Sequence, residues 1–105
     1  MAQETYAFGD SALGETVCPA VAAGRDIPGD DYALTVAEEY DSIVLERYGI
    51  SEGTIPAGIA ESCWYDAIES VRLNAEYYAA EDPEHSEYLW EAVDVGRKIA
   101  DELWH

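Results

Sequence analysis

The sequence predicts an all-α domain, a small bundle of three long helices preceded by a short N-terminal helix or irregular element. Three observations predict it. Apolar residues recur at three- and four-residue spacing through three segments, the pattern of a helix that buries one face. Acidic caps, prolines and a glycine stand at the ends of those segments, where helices start and stop. With 49% hydrophobic residues, eight Tyr and three Trp, the chain also has the apolar and aromatic content that disordered chains lack.

A chain of 105 residues makes one small domain with one modest core, and residues 1–30 are its least regular part. Leu13, Val17, Ala20 and Val21 fall at helical spacing, but Pro19 interrupts them. A short or kinked helix over Ser11–Ala23 is expected there, followed by a loop from Gly24 to Gly29.

The first long helix is expected from about Asp31 to Tyr48. Asp30 or Asp31 caps its start, where an acid also suits the helix dipole. Its stripe is Ala33, Val36, Ala37, Tyr40, Ile43, Val44 and Tyr48, and Gly49 ends it. Residues 32–36 have strand propensity, but the longer helical period running through them decides for helix. The second helix is expected over 56–80, with Thr54 as cap, Pro56 in the first turn and Ala60, Trp64, Ala67, Ile68, Val71, Ala75 and Tyr78 on one side. The third starts at Asp82-Pro83, an N-cap followed by proline, and runs to about Trp104. Its Leu89, Ala92, Gly96, Ile99 and Leu103 repeat as a bundle helix requires. Glycine in mid-helix costs about 1 kcal/mol of propensity. At Gly96 that cost makes sense if another helix packs closely against it.

Charge is the chain's distinguishing property. It holds 23 Asp and Glu against five Lys and Arg, a formal net charge of −18. The acids are dispersed over both halves rather than gathered in a tail, so they coat a folded body that must withstand its own repulsion. With the apolar stripes turned inward, Glu61, Tyr65, Glu69, Arg72 and Glu76 form one outward ridge on the second helix. Glu87, Glu91, Asp94, Lys98 and Asp101 form another on the third, and Glu38, Glu39, Asp41 and Glu46 lie on the first. Pairs at i,i+4, namely Asp94 with Lys98, Arg97 with Asp101 and Lys98 with Glu102, offset a few tenths of a kcal/mol each. A solvated surface explains charge on these ridges, but not the near absence of lysine: Lys98 is the only one.

Duplex DNA carries one negative charge per ~1.7 Å of axis, arranged in ridges along a rod. Carboxylates repeating every turn along helical ridges present a similar field. Small size, helical reading and dispersed acid interleaved with Tyr and Trp make the chain similar in style to phage-encoded DNA mimics, the Ocr-type anti-restriction proteins and acidic anti-CRISPR proteins. The likeness covers the whole composition and aligns no motif. It implies an inhibitor whose partner is a basic nucleic-acid-binding protein, such as a host defence nuclease or effector complex, met in the host cytoplasm. The expected partner-binding residues are Glu61, Tyr65, Glu69, Glu76, Glu87, Tyr88, Glu91 and Asp94. Carboxylates would stand in for phosphates, while Tyr65, Tyr77, Tyr88 and Trp90, beside or outside the stripes, resemble the aromatic anchors of binding hot spots. A small bundle also strands some aromatics on its surface for want of room inside. No direct nucleic-acid binding is expected, and a homodimer is compatible with the same surface.

Two other readings fit the composition. One is an antitoxin- or immunity-type neutraliser of some other basic protein. The other is an ordinary helical domain of a halophile, where acid coats nearly every surface.

Other classes find little support in the residues. No stretch approaches the roughly 20 apolar residues of a membrane span, and Met1-Ala2-Gln3-Glu4 lacks the basic and apolar regions of a signal peptide. Cys18 and Cys63 form no CxxC, so two reduced thiols are expected. His85 and His105 are the only histidines, too few for a paired Glu-x-x-His metal site or an oriented catalytic triad. Phosphate-loop, dinucleotide and EF-hand patterns are absent. No enzyme activity, metal or cofactor is expected.

Overall fold

A computed structural model describes residues 5–8, 31–49 and 53–104. Three helices dominate it: α1 (Asp31–Tyr48), α2 (Ala57–Glu81) and α3 (Pro83–Trp104). Two short strands, β1 (Thr5–Phe8) and β2 (Gly53–Pro56), pair antiparallel with Thr5 opposite Pro56 and Phe8 opposite Gly53. This ribbon was not expected from the sequence. The helix anticipated over 11–23, the loop after it, Asp30 and Cys18 lie outside the described residues.

The helix boundaries between Tyr48 and Pro83 have local causes. Gly49 follows α1 with φ +67°, the left-handed conformation that glycine adopts without a Cβ clash, and its N–H bonds the Leu45 carbonyl at 2.8 Å. Thr54 is not the cap of α2. It belongs to β2, and Pro56 occupies the cap position with no side-chain cap bond. The β-branched Thr54-Ile55 pair favours the extended chain, and Pro56 ends the ladder because it has no N–H.

Asp82 alone joins α2 to α3 and serves both. Its N–H bonds the Tyr78 carbonyl at 2.8 Å, and its carboxylate accepts the His85 N–H at 3.3 Å as an N-cap. Pro83 cannot continue α2, and its fixed φ is suited to start α3. So short a joint makes the two helices antiparallel. Near the turn the Ser86 hydroxyl donates to the Ala75 carbonyl at 2.6 Å, and further along the Trp64 indole donates to the Gly96 carbonyl at 3.0 Å. α1 lies across both and runs parallel to α3, with Asp31 beside Tyr88 and Val36 beside Gly96.

The expected stripes form the core. Ala33, Val36, Ala37, Tyr40 and Val44 meet Ala60, Trp64, Ala67, Ile68, Val71 and Ala75, and Leu89, Ala92 and Ile99 close it, with Cys63, Val93 and Ala100 joining from outside the expected stripes. Tyr48 departs from its stripe: it stands in the last turn of α1 and is exposed. At Gly96 side chains of both other helices press against the α3 backbone. A Cβ there would lie 3.0 Å from Ile68 Cγ1 and 3.2 Å from Val36 Cγ2, which accounts for glycine in the middle of α3. Among the described residues, no helix is long and apolar enough to cross a membrane.

Candidate functional site

The predicted partner face separates into three zones along the α2–α3 hairpin. Glu61 and Tyr65 stand at the end away from the turn. The Tyr65 ring lies 6.5 Å from Trp104, and its hydroxyl pKa is raised by partial burial and then by the negative charges of Asp101 and Glu61. Carboxylates and aromatics do share this end, but Glu61 is half-buried.

The middle zone is bridged. Arg72 reaches one turn each way along α2, forking onto Glu69 and bonding Glu76 at 2.9 Å. The Arg72 hydrogen bond holds the Glu69 carboxyl below its ordinary value and holds the guanidinium above its own. On α3, Asp94 meets Lys98 at 3.7 Å. The other two expected pairs, Arg97 with Asp101 and Lys98 with Glu102, do not come within ion-pair distance. Glu69, Glu76 and Asp94 therefore face solvent with part of their charge offset. On α1, Glu39 accepts a hydrogen bond from the Ser70 hydroxyl at 3.1 Å, while Arg47 forms an ion pair with Asp66 of α2.

Among the described residues, the turn end keeps its charge. Glu81, Asp82, Glu84, Glu87 and Glu91 are exposed there, and Arg47, Arg72 and Lys98 make their ion pairs elsewhere. Glu87, Tyr88 and Glu91 line one open groove of about 570 Å³ together with Tyr32, Glu84 and Trp90. The predicted site included Glu87, Tyr88 and Glu91, with Trp90 named only as a candidate aromatic anchor, and did not include Tyr32 or Glu84. Glu84 was within reach of the sequence pattern, being one turn before Glu87 and Tyr88. Tyr32 was not, because it arrives from α1.

Tyr88 is not the free aromatic anchor that the sequence reading expected. It is half-buried against the core, and its hydroxyl donates to the Asp31 carbonyl at 3.0 Å and sits 3.1 Å from the Thr35 hydroxyl. Its ring is one of a run across the surface. Tyr32 is 5.0 Å from Tyr88, His85 is stacked 6.3 Å beyond at an interplanar angle of 7°, and Tyr78 and Tyr77 follow at 4.8 Å and 5.0 Å. Tyr88 thus positions the run by tying α3 to the start of α1. At the turn end the exposed aromatics beside the acids are Tyr32, Tyr77 and Trp90, and Tyr65 is exposed at the far end.

Cys63 is a free, buried thiol, and burial pushes its pKa up despite the opposing influence of Arg47. His85 lies among tyrosine rings rather than beside it. No group of three or more His, Cys, Asp or Glu among the described residues is placed to hold a metal ion. Comparison with protein-family models, with curated proteins and with solved structures finds no match for this chain.

Proposed function

We propose that this chain is an acidic nucleic-acid mimic, an inhibitor that occupies the basic nucleic-acid site of a defence protein of the restriction or CRISPR kind. The observation that carries the reading is the outer surface of the α2–α3 hairpin, where carboxylates recur turn after turn with few bases among them. At the turn end Glu84, Glu87 and Glu91 project beside exposed Tyr32 and Trp90. Such a surface attracts a Lys- and Arg-rich groove at long range and in a salt-dependent way, and its aromatics slow release once contact is made.

Arg72 changes the weight of the two ridges. Because Glu69 and Glu76 already share a guanidinium, Glu87 and Glu91 contribute more of the field seen by a partner. The test is capture of a basic nucleic-acid-binding protein by the immobilised chain at low salt, followed by release with excess duplex DNA or RNA. Reversing Glu87 and Glu91 to Lys should weaken capture more than reversing Glu69 and Glu76, with helical content unchanged by circular dichroism. Equal capture by the four-site reversal across a salt titration would show that this face is not used. A captured protein that nucleic acid cannot displace would remove the mimicry itself.

A further inference from the structure

We propose that the groove lined by Tyr32, Glu84, Glu87, Trp90 and Glu91 is the seat of an arginine side chain presented by the basic partner. The partner's nature rests on the function proposed above; the chemistry of the groove does not. Its lining combines three carboxylates with aromatic rings, and Arg47, Arg72 and Lys98 are engaged away from it. Tyr32 and Trp90 are 36% and 41% exposed, enough to offer ring surface to an incoming group. A planar guanidinium stacks on such rings and forks onto carboxylates with its N–H groups. An ammonium is a compact, strongly hydrated point charge that does neither as well. The three carboxylates are not placed to hold one metal ion together, which suits a flat organic cation better.

The groove is also supported before anything binds. Tyr88 forms part of its wall, and the hydroxyl bonds to Asp31 and Thr35 fix where that ring stands. Tyr32 rests 5.0 Å from it. Glu84, Glu87 and Glu91 rise from successive turns of one helix, so their backbone spacing needs no rearrangement. Ordering that is already present in the free protein is not lost on binding.

The experiment titrates the full-length ¹⁵N-labelled chain with Nα-acetyl-arginine amide and follows the Trp90 indole N–H. The neutral isostere Nα-acetyl-citrulline amide and Nα-acetyl-lysine amide serve as comparisons. The arginine probe should give a saturable shift, with binding about tenfold tighter than the citrulline probe and tighter than the lysine probe. Trp90→Ala, followed through backbone amides 84–91, and the double variant Glu87→Gln with Glu91→Gln should each weaken it about fivefold or more. Both should keep the parent melting temperature within a few degrees, because the three positions are exposed.

Citrulline or lysine binding as tight as arginine overturns the proposal. So does unchanged arginine binding in both variants, or no saturable shift up to about 0.1 M probe. Arginine binding without any nucleic-acid-displaceable partner leaves the groove standing and removes the proposed function. A partner captured at full strength by both groove variants does the reverse.

Discussion

Arg72 shows how one side chain can redistribute a surface charge that composition leaves even. Its guanidinium sits between carboxylates one turn to either side, and Glu69 is held below its ordinary pKa mainly by that hydrogen bond. A depressed carboxyl pKa stabilises the fold most above the unfolded value, near 4.5, and the effect fades as pH falls through the folded value. Replacing Arg72 with Met should raise the Glu69 titration midpoint, read by carboxyl ¹³C NMR. It should also shrink the stability difference between pH 6 and pH 3.5. An unmoved midpoint would mean that the bridge does not persist in solution. Because Arg72 and Glu69 face solvent, the effect should weaken with added salt.

At the scale of elements, the helices were legible because their signals are local. Asp82-Pro83 marks a boundary by chemistry alone, Gly49 ends α1 at the position its φ requires, and the stripes from Val36 to Ile99 name most of the core. The rest depends on contacts between distant residues. Nothing near Thr54 in sequence announces that Tyr6 will lie opposite Ile55, so the cap assigned to Thr54 gave way to a strand. The groove was half-visible for the same reason, with Glu87, Tyr88 and Glu91 on one helix and Tyr32 on another. The hydroxyl bond that fixes Tyr88 likewise spans two helices.

Gly96 joins the two levels, since its rarity in a helix was visible and its cause is tertiary. Alanine there gains about 1 kcal/mol of helix propensity but meets Ile68 at 3.0 Å, and overpacking costs typically about 1–3 kcal/mol. Gly96→Val adds two further carbons into the same contact and lacks alanine's propensity. It should lower the urea unfolding free energy by about 2 kcal/mol or more, with Gly96→Ala closer to the parent. A valine variant as stable as the parent would mean that the helices do not approach this closely.

Across the whole molecule, salt should act on two opposing sets of interactions. It screens the favourable bridges of Arg72, Lys98 and Arg47, which draws the melting temperature down. It also screens repulsion among the remaining carboxylates, which raises it. The formal charge of −18 on 105 residues decides the sign, because few acids have a base to lose. The screening length falls from about 10 Å at 0.1 M salt to about 3 Å at 1 M, shorter than the spacing of neighbouring ridge carboxylates. Sodium chloride over that range should therefore raise the melting temperature, and about 1 kcal/mol of relieved repulsion corresponds to about 4–8 °C in a domain of this size. Calorimetric scans at fixed pH measure it. A falling melting temperature would place the acids in stabilising contacts and contradict the repulsive surface on which the mimicry rests. The starting point discriminates as well. Folding already complete at 0.1 M salt favours the proposed mimic, whereas folding only near 1 M favours a halophile's domain. The partner reading requires a folded hairpin with its carboxylates displayed at low salt, where attraction to a basic surface is strongest.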